Sequence, residues 1–384
     1  MRASFLCAPE PAARKGWTHH MATGVESGLR KARAHERKGQ FDAAFSCYQS
    51  VLQKYPKNMR AKSGLARLTK STAQPFAESL RSVHQLFRTN QLQQAIPQAL
   101  ALSRSYPTSE PVWSLLGAIA AGIGQLETAQ HAFSRTIAIK PDLAAGHANL
   151  GTIMERQRDP DAAIACFTRA LSLAPDHPQY LLFRGAIHLS KNDTQAALSD
   201  LTACLSGDPD NTTALKLAGQ AYARIGQVDQ ARDMLSKAVC TSPEDTDAVL
   251  DLADFLLDQG SSSEAEVQLK RTLSLEPENF RACLTFGNLL FAKGAFGAAA
   301  GWFQKAQQLE PDNASTWNNL SSAQFATGAF EKAEASCERA ISLNPGHARA
   351  YHNLANVMQQ TGRLDRAVES YAKAVELDPS LDTA

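Results

Sequence analysis

Four aspartates, Asp247, Asp251, Asp254 and Asp258, follow one another at intervals of four, three and four residues. On a helix this spacing puts them on one stripe, because residues three and four apart are surface neighbours. Carboxylates so placed repel, each i,i+4 pair by about 0.2–0.5 kcal/mol, and the stripe therefore calls for cations. Arg224 and Arg281 nearby could supply them, as could hydration of an open groove. A bound segment rich in Lys and Arg is the other source, this chain's own basic head included. Asparagines make a second set: Asn288, Asn318, Asn319, Asn353 and Asn356, with Asn149 further back and Arg349 among them. An amide carries donor and acceptor together. Such residues either hold an extended backbone or bond to neighbouring helices.

Other chemistry is sparse. The sequence has no G-x-x-x-x-G-K-[ST], no G-x-S-x-G and no H-E-x-x-H. The nearest approach to a phosphate loop, GIGQLE from Gly122 to Glu127, lies in a turn between helical segments. The ten histidines are scattered, and neither His347 with His352 nor His19 with His20 has a third ligand nearby. Seven cysteines occur without a C-x-x-C pair, and the odd count suits a reducing compartment. No signal-peptide core is evident, and no run approaches the roughly 20 apolar residues of a membrane span. The expectation is a cytoplasmic protein that is not an enzyme, with no catalytic residue, no cofactor and no metal.

Composition sets wider bounds. Apolar residues make up 44% of the 384, which excludes a wholly disordered chain. The formal charge of +1 conceals an asymmetry: residues 1–70 hold 14 Lys/Arg against 4 Asp/Glu, the remainder 25 against 34. A basic head on an acidic body favours attraction between the two or to a partner. A nucleic-acid partner is disfavoured, since the body has no continuous basic stripe.

The elements that must position these residues are announced by proline. Prolines stand at 107, 141, 175, 209, 243, 277, 311, 345 and 379, always 34 apart. With proline as position 32, eight units begin at 110, 144, 178, 212, 246, 280, 314 and 348. Position 20 is then alanine in all eight units (Ala129, Ala163, Ala197, Ala231, Ala265, Ala299, Ala333, Ala367), and position 8 is always Gly, Ala or Ser. Apolar residues recur three, four and seven apart within each half, and a polar turn, often containing glycine, separates the halves. Each unit therefore reads as two antiparallel helices. Small residues at positions 8 and 20 admit close approach, larger ones at 4, 7, 24 and 28 fill the space, and proline ends the second helix. On this ruler Trp113, Trp317 and Tyr351 at position 4 are packing residues, as are Cys204, Cys283 and Cys337.

With WSLLGAI from Trp113 and AIACFTRALSLAP from Ala163 to Pro175, the period resembles the tetratricopeptide repeat, whose 34-residue spacing and signature are among the known repeat periods. The resemblance implies an all-α fold, a right-handed α-solenoid or superhelix of antiparallel helix pairs, with positions 2, 5, 6, 9, 12 and 13 of each first helix facing a concave groove. The segment AYHNLANVMQQTGRLDRAVESYAKAVELDP also resembles the repeat arm of the O-linked N-acetylglucosamine transferase. That likeness implies contact of Asn319 and Asn353 with a substrate polypeptide, although Leu115, Phe183, Leu217, Asp251 and Thr285 depart at position 6. The chain is similar, too, to the repeat arms of bacterial sulfotransferase and glycosyltransferase proteins, here without a catalytic domain. Asn288, Asn319 and Arg349 match three places of the two-carboxylate clamp of co-chaperone repeats, while Leu284 and Asn353 stand where two cations belong.

The expected organisation is a flexible basic tail at 1–24, a degenerate repeat plus an extra helix at 25–75, and a break before an irregular repeat at 76–109. Eight regular repeats follow at 110–381, then a short tail at 382–384. The function expected is a non-catalytic scaffold that binds an extended or helical polypeptide segment in its groove. The alternatives are the recruiting arm of a transferase and a binder of C-terminal peptides. The absence of a polar capping element after Pro379 points to self-association through the last repeat.

Overall fold

The computed structural model describes residues 14–38 and 40–383, and among these it contains helices and no strand. In chain order they are α1 (Arg14–Arg37), α2 (Phe41–Lys54), α3 (Met59–Arg88), α4 (Leu92–Ser105), α5 (Glu110–Gly122), α6 (Leu126–Ile139) and α7 (Ala144–Arg156). Then come α8 (Pro160–Leu173), α9 (Pro178–Ser190), α10 (Thr194–Gly207), α11 (Thr212–Arg224), α12 (Val228–Thr241), α13 (Thr246–Asp258) and α14 (Ser262–Leu275). Last are α15 (Phe280–Ala292), α16 (Phe296–Leu309), α17 (Ala314–Ala326), α18 (Phe330–Leu343), α19 (Ala348–Gln360) and α20 (Leu364–Leu377), followed by a 3-10 helix, Pro379–Thr383. The chain divides into two compact units, 1–157 and 158–384.

Every repeat boundary has the same local cause. The residue before each of these regularly spaced prolines is pushed out of the helical conformation, because the proline ring crowds its backbone. Lys140, Ala174, Asp208, Ser242, Glu276 and Glu310 accordingly share φ of −128 to −143° and ψ of 78 to 84°. The next helix starts on a cap: side-chain oxygens of Asn211, Asp245, Asn279 and Asn313 accept from backbone amides three residues on, at 2.9–3.2 Å. The large residue at position 4 closes the same turn. Trp113 and Trp317 donate their indole N–H to the carbonyls of Pro107 and Pro311, at 2.9 and 2.8 Å. Within a pair the turn needs a left-handed residue, and Gly124, Gly226, Gly260, Gly294, Gly328 and Gly362 take φ of 74–81°. Arg158 holds the same place at φ 64°, where a side chain costs about 1–2 kcal/mol.

The two helices of a pair meet through the small residues. A Cβ added to Gly117, Gly219 or Gly287 would lie 2.6 Å from Phe133, Leu235 or Phe303 respectively. Each of these position-8 glycines thus leaves the space that the position-24 side chain fills. The alanines of position 20 from Ala129 to Ala333 are fully buried.

In the first unit α1 packs on α2, α3 on α4 and α5 on α6; in the second the pairs run from α9–α10 to α19–α20, with α8 packed on α9. First helices also touch first helices. In the first unit α1 meets α3, α3 meets α5 and α5 meets α7; in the second α9 meets α11, α11 meets α13, α15 meets α17 and α17 meets α19. Second helices make no comparable contact with each other, so within each unit the first helices form the inner layer.

Two places differ from the sequence reading. Of the expected tail, residues 1–13 lie outside the described residues, and 14–24 belong to α1. The extra helix and break expected across 59–75 are instead the first part of α3, a continuous helix of 30 residues. No Gly or Asn occurs from Leu65 to Thr89 to take the positive φ that a turn requires, and Asn90 supplies it at φ 56°. The outer face of α20 leaves Leu364 and Val368 exposed, at 61% and 68%.

Replacing Ala231 with Leu forces extra carbons into a fully occupied contact between α11 and α12. Urea denaturation is expected to show a loss of about 1–3 kcal/mol, and an unchanged midpoint would remove small-residue packing as the basis of the pair.

Candidate functional site

The aspartate stripe and the asparagines from Asn288 to Asn356, with Arg349, lie in the second unit, on the first helices α13, α15, α17 and α19, while Asn149 lies on α7 of the first unit. The aspartate stripe on α13 is graded in exposure. Asp247 and Asp258 are exposed at the two ends, while Asp251 and Asp254 are partly buried between them. One arginine answers them: Arg281 Nη2, reaching across from α15, lies 3.1 Å from Asp251 Oδ1 and also bonds to Asp254. Gln220 on α11 donates its amide to the other Asp251 oxygen at 2.9 Å. Arg224, the second cation expected, points elsewhere. It donates to the Leu189 carbonyl at 2.8 Å and to Asn192 Oδ1 at 3.2 Å, satisfying groups at the end of α9. The stripe keeps a local excess of negative charge.

Burial raises the Asp254 carboxyl above the ordinary carboxylate range, and Asp251 and Asp258 add to that effect against the opposing pull of Arg281. Asp247 lies in the first turn of α13, where the helix dipole favours a negative charge. Asp258 is the last residue of the same helix, where the dipole opposes it.

The asparagines are joined sideways. Asn319 donates to Asn288 Oδ1 at 3.0 Å; Asn353 donates to Ser322 Oγ at 2.9 Å and to Asn318 Oδ1 at 2.8 Å. The Tyr371 hydroxyl donates to Asn356 Oδ1. Asn318 is buried, Asn319, Asn353 and Asn356 are half-buried, and Asn288 is exposed. Arg349 is exposed, and its charge acts on Asp378, whose carboxyl is held low first by the Ser380 hydroxyl and amide.

A rule emerges that the sequence reading missed. Position 9 of one repeat bonds to position 6 of the next in Gln220–Asp251, Asn288–Asn319 and Ser322–Asn353, each 31 residues apart. These rungs tie neighbouring first helices along the inner layer. The signal lay in the spacing, since 31 is one period less three, but it shows only when the two positions are compared between units. Each rung uses one donor and one acceptor. An asparagine amide has two N–H groups and two lone pairs, so capacity remains.

The buried thiols are poor nucleophiles. Cys204, Cys283 and Cys337 are fully buried, and burial pushes Cys337 up to about 11. Among the described residues no group of three or more His, Cys, Asp or Glu side chains is placed to hold a metal ion. No described helix is long and apolar enough to cross a membrane.

Family models described as tetratricopeptide repeat match residues 26–58, 150–218, 188–249, 226–283 and 312–380, together more than half of the chain. The chain is a tetratricopeptide-repeat protein. No curated protein sequence matches it. Among solved structures, a tetratricopeptide repeat protein from Parabacteroides merdae ATCC 43184 is 21% identical with a TM-score of 0.52, over 65% of this chain and 98% of that one. That likeness is one of fold. YrrB, described as a TPR protein with an unusual peptide-binding site, is 25% identical with a TM-score of 0.41, over 48% and 96%. MamA from Desulfovibrio magneticus RS-1 is 20% identical with a TM-score of 0.42, over 44% and 97%.

The raised Asp254 has a consequence for folding. Its native carboxyl keeps a proton at pH values where the unfolded one has lost it, so this group makes stability fall as pH rises from about 4. Asp254→Asn, uncharged throughout, should gain stability relative to the parent chain over that range in denaturation series. A difference independent of pH would contradict the assigned environment.

Proposed function

We propose that this protein is a non-catalytic scaffold whose inner layer of first helices holds an extended or helical polypeptide segment. The observation that carries the reading is the polar lining of that layer in the second unit. Residues at positions 6 and 9 are bonded laterally to one another, which fixes their orientation before a ligand arrives and lowers the ordering cost of binding. The remaining amide valences of Asn288, Asn319 and Asn353 suit main-chain groups of any sequence, and Asn318, Asn356 and Arg349 border them. The charge of α13 narrows the partner to one bearing Lys or Arg: Asp247, Asp251, Asp254 and Asp258 face a single neutralising Arg281.

The likeness to transferase repeat arms supports a second use of the same face, recruitment of a polypeptide substrate for an enzyme. Its supporting observation is the pair of asparagine rungs, Asn288–Asn319 and Ser322–Asn353. Exposed Leu364 and Val368 support contact between copies of the chain through α20.

Titrating the full chain with a fluorescent Lys/Arg-rich peptide tests the principal reading. Binding should weaken with salt, and Asp251→Asn/Asp254→Asn, which leaves Arg281 as an unmatched cation, should reduce affinity at least tenfold. Equal, salt-insensitive binding by both proteins would reject it.

A further inference from the structure

The first repeat presents the opposite charge at the places α13 gives to aspartate. Counting that repeat from Val25, positions 2, 6, 9 and 13 are Glu26, Arg30, Arg33 and Arg37. The three arginines are exposed on one stripe of α1. The acids beside them are engaged by other cations. Glu26 Oε1 takes Arg60 of α3 at 2.5 Å, and both oxygens of Glu36 take Arg67 of α3 at 2.8 and 3.1 Å. Among the described residues, no carboxylate lies within ion-pair distance of Arg30, Arg33 or Arg37.

These side chains line a cleft of about 300 Å³ between α1 and α3, with Leu29 and Ala34 as its apolar part and Arg60 on the far side. Like charges three and four residues apart destabilise a helix. At the end of α1 the helix dipole offsets this for Arg37, but it fades within one turn and does not reach Arg30.

We propose that this cleft is a binding site for an acidic polypeptide segment, separate in residues and in charge from the aspartate and asparagine face of the second unit. The proposal shares with the principal reading only the use of first helices as the binding layer. Successive arginines rise about 4.5 and 6 Å along α1. Alternate residues of an extended chain rise about 6.6 Å, so carboxylates at every second position can follow the stripe. Guanidinium groups pair with carboxylates through two parallel hydrogen bonds. The surroundings favour peptide over nucleic acid, since no aromatic ring lines the cleft for bases to stack on.

The test is fluorescence anisotropy of the full chain with a labelled peptide of six Glu-Ser repeats, alongside a twelve-nucleotide oligouridine. The intact chain should bind the peptide with an affinity that falls steeply with salt. Arg30→Gln/Arg33→Gln/Arg37→Gln should weaken binding at least tenfold, and Arg33→Gln alone should fall between. Asp251→Asn/Asp254→Asn should leave this binding unchanged, so its outcome is distinct from that of the basic-peptide titration. Helical circular dichroism and melting like the parent's verify that the exposed substitutions leave the fold intact. No peptide binding, or equal binding by the triple variant, would overturn the site. So would oligouridine binding more tightly than the peptide and losing that binding in the triple variant, which would make the cleft a nucleic-acid surface.

Discussion

The contact between a small residue and a large one inside each helix pair is the constraint on which everything else rests. Gly117, Gly219 and Gly287 occupy places where even a methyl group would meet Phe133, Leu235 or Phe303 at 2.6 Å. Fully buried alanines at position 20 hold the partner helix equally near. This fixes the separation within a pair, and a repeated separation yields a repeated offset to the next pair. Only with that offset constant can a side chain at position 9 find one at position 6 thirty-one residues later. The rungs Gln220–Asp251, Asn288–Asn319 and Ser322–Asn353 are products of the packing.

From those rungs follows the character of the inner layer. The polar groups of the rungs are satisfied sideways by one another, so the layer stands open without leaving these groups unpaired. Lateral bonding also separates residues that hold the layer together from those free to meet a partner. Asp251 is clasped by Gln220 and Arg281, while Asp247 and Asp258 project at the helix ends. Charge is then distributed repeat by repeat over one geometry. The same four places carry aspartates on α13 and three arginines on α1. A scaffold of this kind changes what it selects without changing its fold.

Much of this was legible in the amino-acid order, for a physical reason. The features that set the fold are local: proline acts on the residue before it, glycine on its own φ, alanine on the helix facing it. The period, the helix pairs and the packing role of Trp113 could therefore be read directly. What was not legible depends on side-chain reach between repeats. Arg224 and Arg281 looked equally able to neutralise the aspartates, yet Arg224 is taken by the carbonyl of Leu189. Asn319 and Asn353 looked ready for a ligand, but part of their bonding is spent on Asn288, Asn318 and Ser322. The fusion of 59–75 into α3 was missed because an insertion in the period suggested a break. The lack of any Gly or Asn between Leu65 and Thr89 to take a positive φ was the better guide.

The central claim, that a polypeptide lies on the layer of first helices, is tested most directly by amide hydrogen exchange of the full chain with and without a saturating Lys/Arg-rich peptide. Slowed exchange should concentrate in α11, α13, α15 and α17, with α12, α14 and α16 unchanged. Protection centred on the second helices, or spread evenly over both layers, would contradict it.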